Sequence, residues 1–325
     1  MKLEDIGFYT LTDERAATAG AESPLHRCEL LVTDACNFNC PYCRGMRSDC
    51  KGALAPHAAW ATVDLWCSWG LRNVRFSGGE PTLYAGIGSL VQQARRGGAR
   101  RIAISTNGSA PFSLYRELLR LGVNDISVSL DACCADAGDK MAGRHGAWNR
   151  VVENIKQLSA MTYVTVGVVF TEETKETIND VILFAHNLGV ADIRIISSAQ
   201  FDGHASLDTP QYILDAHPIL KYRVTNYRQH RPVRGIGPND SHRCHLALDD
   251  MAVAGGYHFP CIIYLREHGN PIGRMGPATR AERTGWVATH DTHTDPICQK
   301  NCLDVCVDYN NRARQLNPSF GREVA

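Results

Sequence analysis

The chain has 325 residues, an apolar fraction of 44% and equal numbers of basic and acidic side chains, 34 Lys plus Arg against 34 Asp plus Glu. Zero net charge argues against a nucleic-acid partner, and no apolar run reaches the roughly 20 residues that span a bilayer, so no membrane contact is expected. Thirteen cysteines behind a charged start, Met1-Lys2-Leu3-Glu4-Asp5, with no apolar h-region, point to a reducing, cytoplasmic setting and to metal ligation rather than a disulfide framework.

Residues 1–27 read as an N-terminal extension too short for an independent peptide-recognition domain. From Cys28 onward, short β-branched runs alternate with helix-period stretches. The strands are expected at Glu29 to Thr33, Asn73 to Ser77, Arg101 to Thr106, Asp125 to Leu130, Tyr163 to Phe170 and Asp192 to Ser197. Helices are expected near His57 to Trp69, Gly86 to Arg96, Ser113 to Leu121, Trp148 to Met161 and Ile178 to Leu188. Strands alternating with helices imply βαβ units and a parallel sheet. Six units are too few to close an eight-fold barrel, so the α/β fold expected over 28–208 is an open, TIM-like (β/α)6 partial barrel with its site at the C-terminal ends of the strands. The arginines at 95, 96, 100 and 101 read as a solvated helix end.

Pro210, Pro218, Pro232, Pro238, Gly235 and Gly237 then break the pattern, and 209–241 reads as a bridging helix and linker. A small cysteine-rich domain follows over 242–314, with a tail over 315–325.

Behind the first strand, Cys36, Cys40 and Cys43 stand at CxxxCxxC spacing. Three thiolates so placed can hold three irons of a 4Fe-4S cube, leaving the fourth iron open. A zinc site usually pairs two such knuckles, and no second one stands nearby. The second strand ends in Ser77-Gly78-Gly79-Glu80-Pro81-Thr82, where two glycines let backbone approach a ligand. The third ends in Ser105-Thr106-Asn107-Gly108 and the fourth in Ser129-Leu130-Asp131.

Together these segments resemble the radical S-adenosylmethionine (SAM) superfamily, whose GGEP motif matches Gly78, Gly79, Glu80 and Pro81. The resemblance implies that SAM chelates the open iron and is cleaved to a 5′-deoxyadenosyl radical, with a flavodoxin- or ferredoxin-type reductant supplying the electron. It implies that Tyr42 lies against the adenine and that Glu80 receives the SAM ammonium. Ser105, Asn107, Ser129 and Asp131 would face SAM or the substrate, Arg144 would sit before the next helix as in relatives, and Val168, Ile195 and Ile196 would line the adenine pocket.

Cys244 and Cys261 frame Gly256 in a C-x(11)-G-x(4)-C run that resembles the opening of SPASM and twitch domains, where a hairpin carries two ligands of a further 4Fe-4S cluster. Cys298, Cys302 and Cys306 follow at i, i+4, i+8, on one side of a helix. Five cysteines serve one auxiliary cluster with one to spare and are too few for the two of a full SPASM domain, which favours the twitch form. The usual late CxxC is replaced by CxxxCxxxC, leaving open which two of the three bind iron. A spare thiol, Cys302 in the first instance, or Cys133 or Cys134 beyond the fourth strand, is a candidate hydrogen-atom donor to a substrate radical. Cys28, Cys50 and Cys67 read as structural.

The compact length and single auxiliary cluster resemble antibiotic-tailoring twitch enzymes, implying epimerisation or dehydrogenation of a small carbohydrate, aminocyclitol or aminoglycoside-type substrate. Modification of a ribosomal peptide is the alternative. GTP cyclisation of the molybdenum-cofactor type is a further one, disfavoured at this level because those relatives end in a Gly-Gly tail, whereas this sequence ends Arg322-Glu323-Val324-Ala325.

Overall fold

The structure is a computed structural model and describes residues 13–199, 207–317 and 320. Among the described residues, nine strands form one sheet in the order β6-β5-β4-β3-β2-β1-β7-β8-β9. They are β1 (Arg27–Leu31), β2 (Asn73–Ser77), β3 (Arg101–Thr106), β4 (Asp125–Ser129), β5 (Tyr163–Phe170), β6 (Asp192–Ser197), β7 (Asp250–Ala254), β8 (Tyr257–Phe259) and β9 (Gly273–Arg274). The first six run parallel in chain order, with helices in every crossover, so the α/β partial barrel is borne out. The first strand starts two residues earlier than the sequence pattern suggests, because the backbone N–H groups of His26 and Arg27 already bond to the carbonyl of Asp249.

Prolines open several helices where their fixed φ and missing donor cost nothing: Pro56 and Pro218 stand at the first turn and Pro111 at the N-cap. The barrel's apolar core gathers residues that face the helices, among them Trp66, Phe76, Tyr115, Val166 and Ile193, all fully buried. Strand β5, Tyr-Val-Thr-Val-Gly-Val-Val-Phe, is buried along most of its length, as a strand covered on both faces should be.

Beyond the bridging helices Gln211–Ala216 and Pro218–Arg228, the sheet continues without a break: β7 adds parallel to β1, and the β7–β8 hairpin turns at Gly255 and Gly256, both at positive φ. Arg27 Nε donates to Asp250 Oδ2 at 2.7 Å across this junction. The cysteine-rich module ends in the helices Thr279–Thr289, Pro296–Asn301 and Asp304–Leu316. The last is anchored to the bridge by a fully buried ion pair between Arg223 and Asp304, whose second oxygen accepts from Asn226 Nδ2 at 2.8 Å. Breaking such a pair typically costs about 3–5 kcal/mol, because the remaining charge stays buried. Helix Asp13–Thr18 packs on the same module, with Arg15 Nε on Asp249 Oδ2 at 2.8 Å. No helix among the described residues is long and apolar enough to cross a membrane.

Candidate active site

The loop after β1 carries Cys36, Cys40 and Cys43 across the C-terminal end of the sheet. It is tied down by short polar bonds: Asn39 N to the carbonyl of Ala142 at 2.8 Å, Asn37 Nδ2 to Ser109 Oγ at 2.8 Å and Asn107 Nδ2 to Asn37 Oδ1 at 2.8 Å. Cys36 Sγ accepts from Phe38 N at 3.4 Å and from Asn107 Nδ2 at 3.8 Å. The Gly78-Gly79 turn packs against the start of this loop. A Cβ on Gly78, which also sits at φ +147°, would lie 2.2 Å from the Thr33 carbonyl oxygen, and one on Gly79 would lie 2.3 Å from that of Ala35. The glycines are therefore demanded by backbone against backbone, not only by a ligand.

All three cysteines open into one cavity of about 610 Å³. Tyr42, Gly78, Gly79, Ser105, Asn107, Ser129 and Asp131, which the resemblance assigns to SAM or the substrate, line it. Tyr42 donates its hydroxyl to Asp131 Oδ2 at 2.5 Å, and Asp131 Oδ1 accepts from Val169 N at 2.7 Å, joining the cysteine loop to the ends of β4 and β5. Burial pushes the Asp131 carboxyl up to about 6.

Other expected residues sit elsewhere. Glu80 is 0% exposed and its carboxylate is already engaged: Oε1 accepts from Thr82 N, Thr82 Oγ1 and Thr106 Oγ1, and Oε2 from Asn107 N at 2.7 Å. It binds the turn to the end of β3 instead of facing the cavity. Pro81 is buried at the first turn of the 3-10 helix that follows. Val168 and Ile195, paired across β5 and β6, face the helices and belong to the core; their neighbours Val169 and Ile196 line the cavity. Successive strand residues face opposite sides, so the expectation for Val168 and Ile195 is off by one. Arg144 is exposed outside the cavity, and Cys133 and Cys134 also lie outside its wall, Cys134 at the N-cap of helix Ala135–Ala142.

The sequence reading missed the arginines. Arg27, Arg44, Arg75, Arg194, Arg234 and Arg266 line the cavity, against three carboxylates, Glu29, Asp34 and Asp131. Arg75 and Arg194 stand in the middle of otherwise apolar strands, and that is the signal that marks them as facing the barrel interior. Opposite Arg194 in the register is Gly167, where a Cβ would come 3.3 Å from the guanidinium. Burial, then the charge of Arg194, lowers Arg75; burial, then Arg44 and Arg223, lowers Arg234 to about 10. Arg266 reaches from the cysteine-rich module to donate to the carbonyls of Gly78 at 2.8 Å and Gly45 at 3.1 Å.

A second chamber is lined by all five late cysteines, Cys244, Cys261, Cys298, Cys302 and Cys306, with apolar walls that include Tyr264 and Trp286. Cys261 and Cys306 border both chambers, whereas Cys302 borders only this one. Three of the sulfurs take N–H donors: Cys261 from Tyr264 N at 3.4 Å, Cys244 from Asn310 Nδ2 at 3.8 Å and Cys306 from Arg27 at 3.8 Å. Burial, then the neighbouring Cys306 sulfur, pushes Cys244 up to about 11. Buried thiols crowded in this way ionise when a metal supplies positive charge, and N–H donors to sulfur suit an iron–sulfur cluster. Both cysteine sets therefore fit the groups the sequence pattern implies.

Residues 30–185 match the family model of the radical SAM superfamily, and this part of the chain is a radical SAM domain, with the 4Fe-4S cluster and SAM that the family uses. The chain is 26% identical over 177 residues to a probable GTP 3′,8-cyclase of Metallosphaera sedula, covering 53% of this chain and 56% of the relative. It is 29% identical over 177 residues to one of Saccharolobus solfataricus, covering 53% and 57%. The chain thus spans little more than half the length of these relatives. Among solved structures, Streptococcus suis SuiB bound to S-adenosylmethionine aligns with TM-score 0.56 at 16% identity, over 85% of this chain and 67% of that one. Native anSMEcpe with bound AdoMet aligns with TM-score 0.57 at 15% identity, over 80% and 82%. At such identity the two establish the fold alone.

Proposed function

We propose that this radical SAM enzyme acts on an anionic, phosphate-bearing small molecule, and that a purine nucleoside triphosphate, converted as in GTP 3′,8-cyclisation, is the substrate class that fits best. The cluster and SAM, when bound, supply the 5′-deoxyadenosyl radical; Cys36, Cys40 and Cys43 are the residues that would hold the cluster. A flavodoxin- or ferredoxin-type protein is the proposed electron donor.

The observation that carries this reading is the ring of six arginines on the cavity wall. Arg234 is central to it. Its Nε donates to the Ser197 carbonyl at 3.2 Å, and its Nη1 is buried with no partner among the described residues. A buried guanidinium short of acceptors costs free energy that a phosphate oxygen would recover. The same wall disfavours a polycationic aminoglycoside, and although Arg27 and Arg44 already pair with Asp250 and Glu267, a neutral sugar would bring no charge to the buried Nη1 of Arg234. Epimerisation through a thiol donor is weakened further, because none of Cys302, Cys133 and Cys134 borders this cavity. The names of the relatives support the same substrate class.

Equilibrium dialysis of the anaerobically reconstituted protein tests the reading. GTP should bind at least tenfold more tightly than guanosine, and Arg234→Met should remove about 10-fold to 100-fold of GTP affinity, the worth of a charge-assisted hydrogen bond, while barely affecting guanosine. Equal binding of GTP and guanosine, or tighter binding of an aminoglycoside than of either, would overturn it.

A further inference from the structure

Cys298 differs from the other late cysteines in what surrounds its sulfur. Cys244, Cys261 and Cys306 accept from amide or guanidinium N–H groups and Cys302 Sγ faces the Leu303 carbonyl at 3.9 Å, whereas Cys298 Sγ alone lies beside a histidine and a carboxylate, 3.7 Å from His290 Nε2, with the same nitrogen 3.7 Å from Asp295 Oδ2. The three ligand-type atoms are all within 4.8 Å of one another. A carboxylate beside a cluster thiolate sets two negative charges side by side, which disfavours a cluster at Cys298. A divalent cation between them removes the conflict.

The surroundings are those of an oriented ligand set. His290 ends helix Thr279–Thr289, and its ring stacks on Trp286 with centroids 4.0 Å apart. Asp295 caps helix Pro296–Asn301: Oδ1 accepts from Ile297 N at 2.8 Å and Cys298 N at 2.9 Å, which leaves Oδ2 turned toward the imidazole. Tyr264 donates its hydroxyl to that same Oδ2 at 2.8 Å, the kind of outer hydrogen bond that orients a ligating carboxylate. Zinc bonds of roughly 2.0–2.3 Å in tetrahedral geometry put neighbouring ligand atoms roughly 3.3–3.6 Å apart. The two spacings at the imidazole nitrogen, each 3.7 Å, need contract by only a few tenths of an ångström, and the third, between Cys298 and Asp295, is within 4.8 Å.

We propose that His290, Asp295 and Cys298 form a mononuclear site for a zinc-class divalent cation, leaving Cys244, Cys261, Cys302 and Cys306 to hold the C-terminal iron–sulfur cluster. The cation joins the end of one helix to the start of the next and so fixes the turn that delivers Cys302. Three protein ligands leave a fourth position for water or an exogenous ligand. The assignment accounts for five cysteines where a cluster needs at most four, and it is independent of the substrate reading above.

The test is a metal inventory of the protein reconstituted with both clusters, exposed to zinc alone and desalted. Wild type should carry one zinc beside roughly eight irons. Cys298→Ser, His290→Gln and Asp295→Asn, the last keeping a capping oxygen, should each lose the zinc and keep the irons. Cys302→Ser and Cys306→Ser should fall to roughly four irons. X-ray absorption at the zinc edge should give one sulfur with nitrogen and oxygen neighbours. Loss of about half the iron in Cys298→Ser, zinc surrounded by two or more sulfurs, or zinc retained unchanged in His290→Gln would each overturn the proposal.

Discussion

Replacing Gly79 with alanine probes how closely the GGEP turn and the cysteine loop depend on each other. The added Cβ would stand 2.3 Å from the Ala35 carbonyl oxygen and 2.5 Å from that of Asp34. Carbon and oxygen do not approach within about 3.2–3.4 Å without strain, so the loop must retreat by about 1 Å; overpacking of this kind costs about 1–3 kcal/mol. The obstacle is backbone and cannot rotate away. Two hydrogen bonds, Gly79 N to the Thr33 carbonyl and Glu80 N to the Ala35 carbonyl, each 2.7 Å, oppose the retreat. Cys36 follows Ala35 directly, and a displacement of about 1 Å at a reacting centre lowers rate by about 10²-fold. The assay is iron per chain together with 5′-deoxyadenosine formation from SAM under reducing, anaerobic conditions. Gly276→Ala, with nothing within 4 Å of its Cβ, serves as the control and should behave as wild type. A Gly79→Ala protein with full iron and an undiminished cleavage rate would refute the reasoning.

Glu80→Gln should lower stability by about 2 kcal/mol, from the loss of a charge-assisted hydrogen bond, and reduce SAM cleavage in proportion; cleavage abolished at unchanged urea stability would instead mean that Glu80 acts on the ligand directly. Burial raises Asp192 to about 6, against 3.8 in its unperturbed state. The folded protein therefore holds that proton more tightly than the unfolded chain. The stabilisation is complete below pH 3.8 and is lost as pH rises through about 6, by about 3 kcal/mol at about 1.4 kcal/mol per pH unit. Urea midpoints of wild type and Asp192→Asn across pH 4–7 should diverge in that sense, and parallel curves would contradict it.

The fold was legible because its punctuation is local. Glycines, prolines and polar turns mark the ends of six β-branched runs, and five of the six predicted strands agree with the structure to within a residue. The cysteine loop and the Gly-Gly turn were legible for the same reason. Side-chain direction was harder. Val168 and Ile195 look as suitable for a pocket as Val169 and Ile196, and only the pleat of β5 and β6 separates them. Glu80 looks like a ligand contact until Thr82, Thr106 and Asn107 are seen to occupy it. The arginine ring is assembled from β1, β2, β6, the cysteine loop, the linker and the hairpin module, so no stretch of sequence contains it. Arg75 and Arg194 alone carried a readable hint, as charges inside apolar strands. Zero net charge therefore said little about the cavity, where six arginines stand with three carboxylates.

If the radical domain works on a purine nucleotide held by that cavity, hydrogen must pass from the nucleotide to the 5′-deoxyadenosyl radical, and isotope transfer reads that step. GTP deuterated at C3′ would be incubated with the reconstituted protein, SAM and reductant, and the 5′-deoxyadenosine analysed by mass. GTP-dependent 5′-deoxyadenosine carrying one deuterium should form, together with a product isomeric with GTP. Unlabelled 5′-deoxyadenosine formed at the same rate with and without GTP would contradict that step.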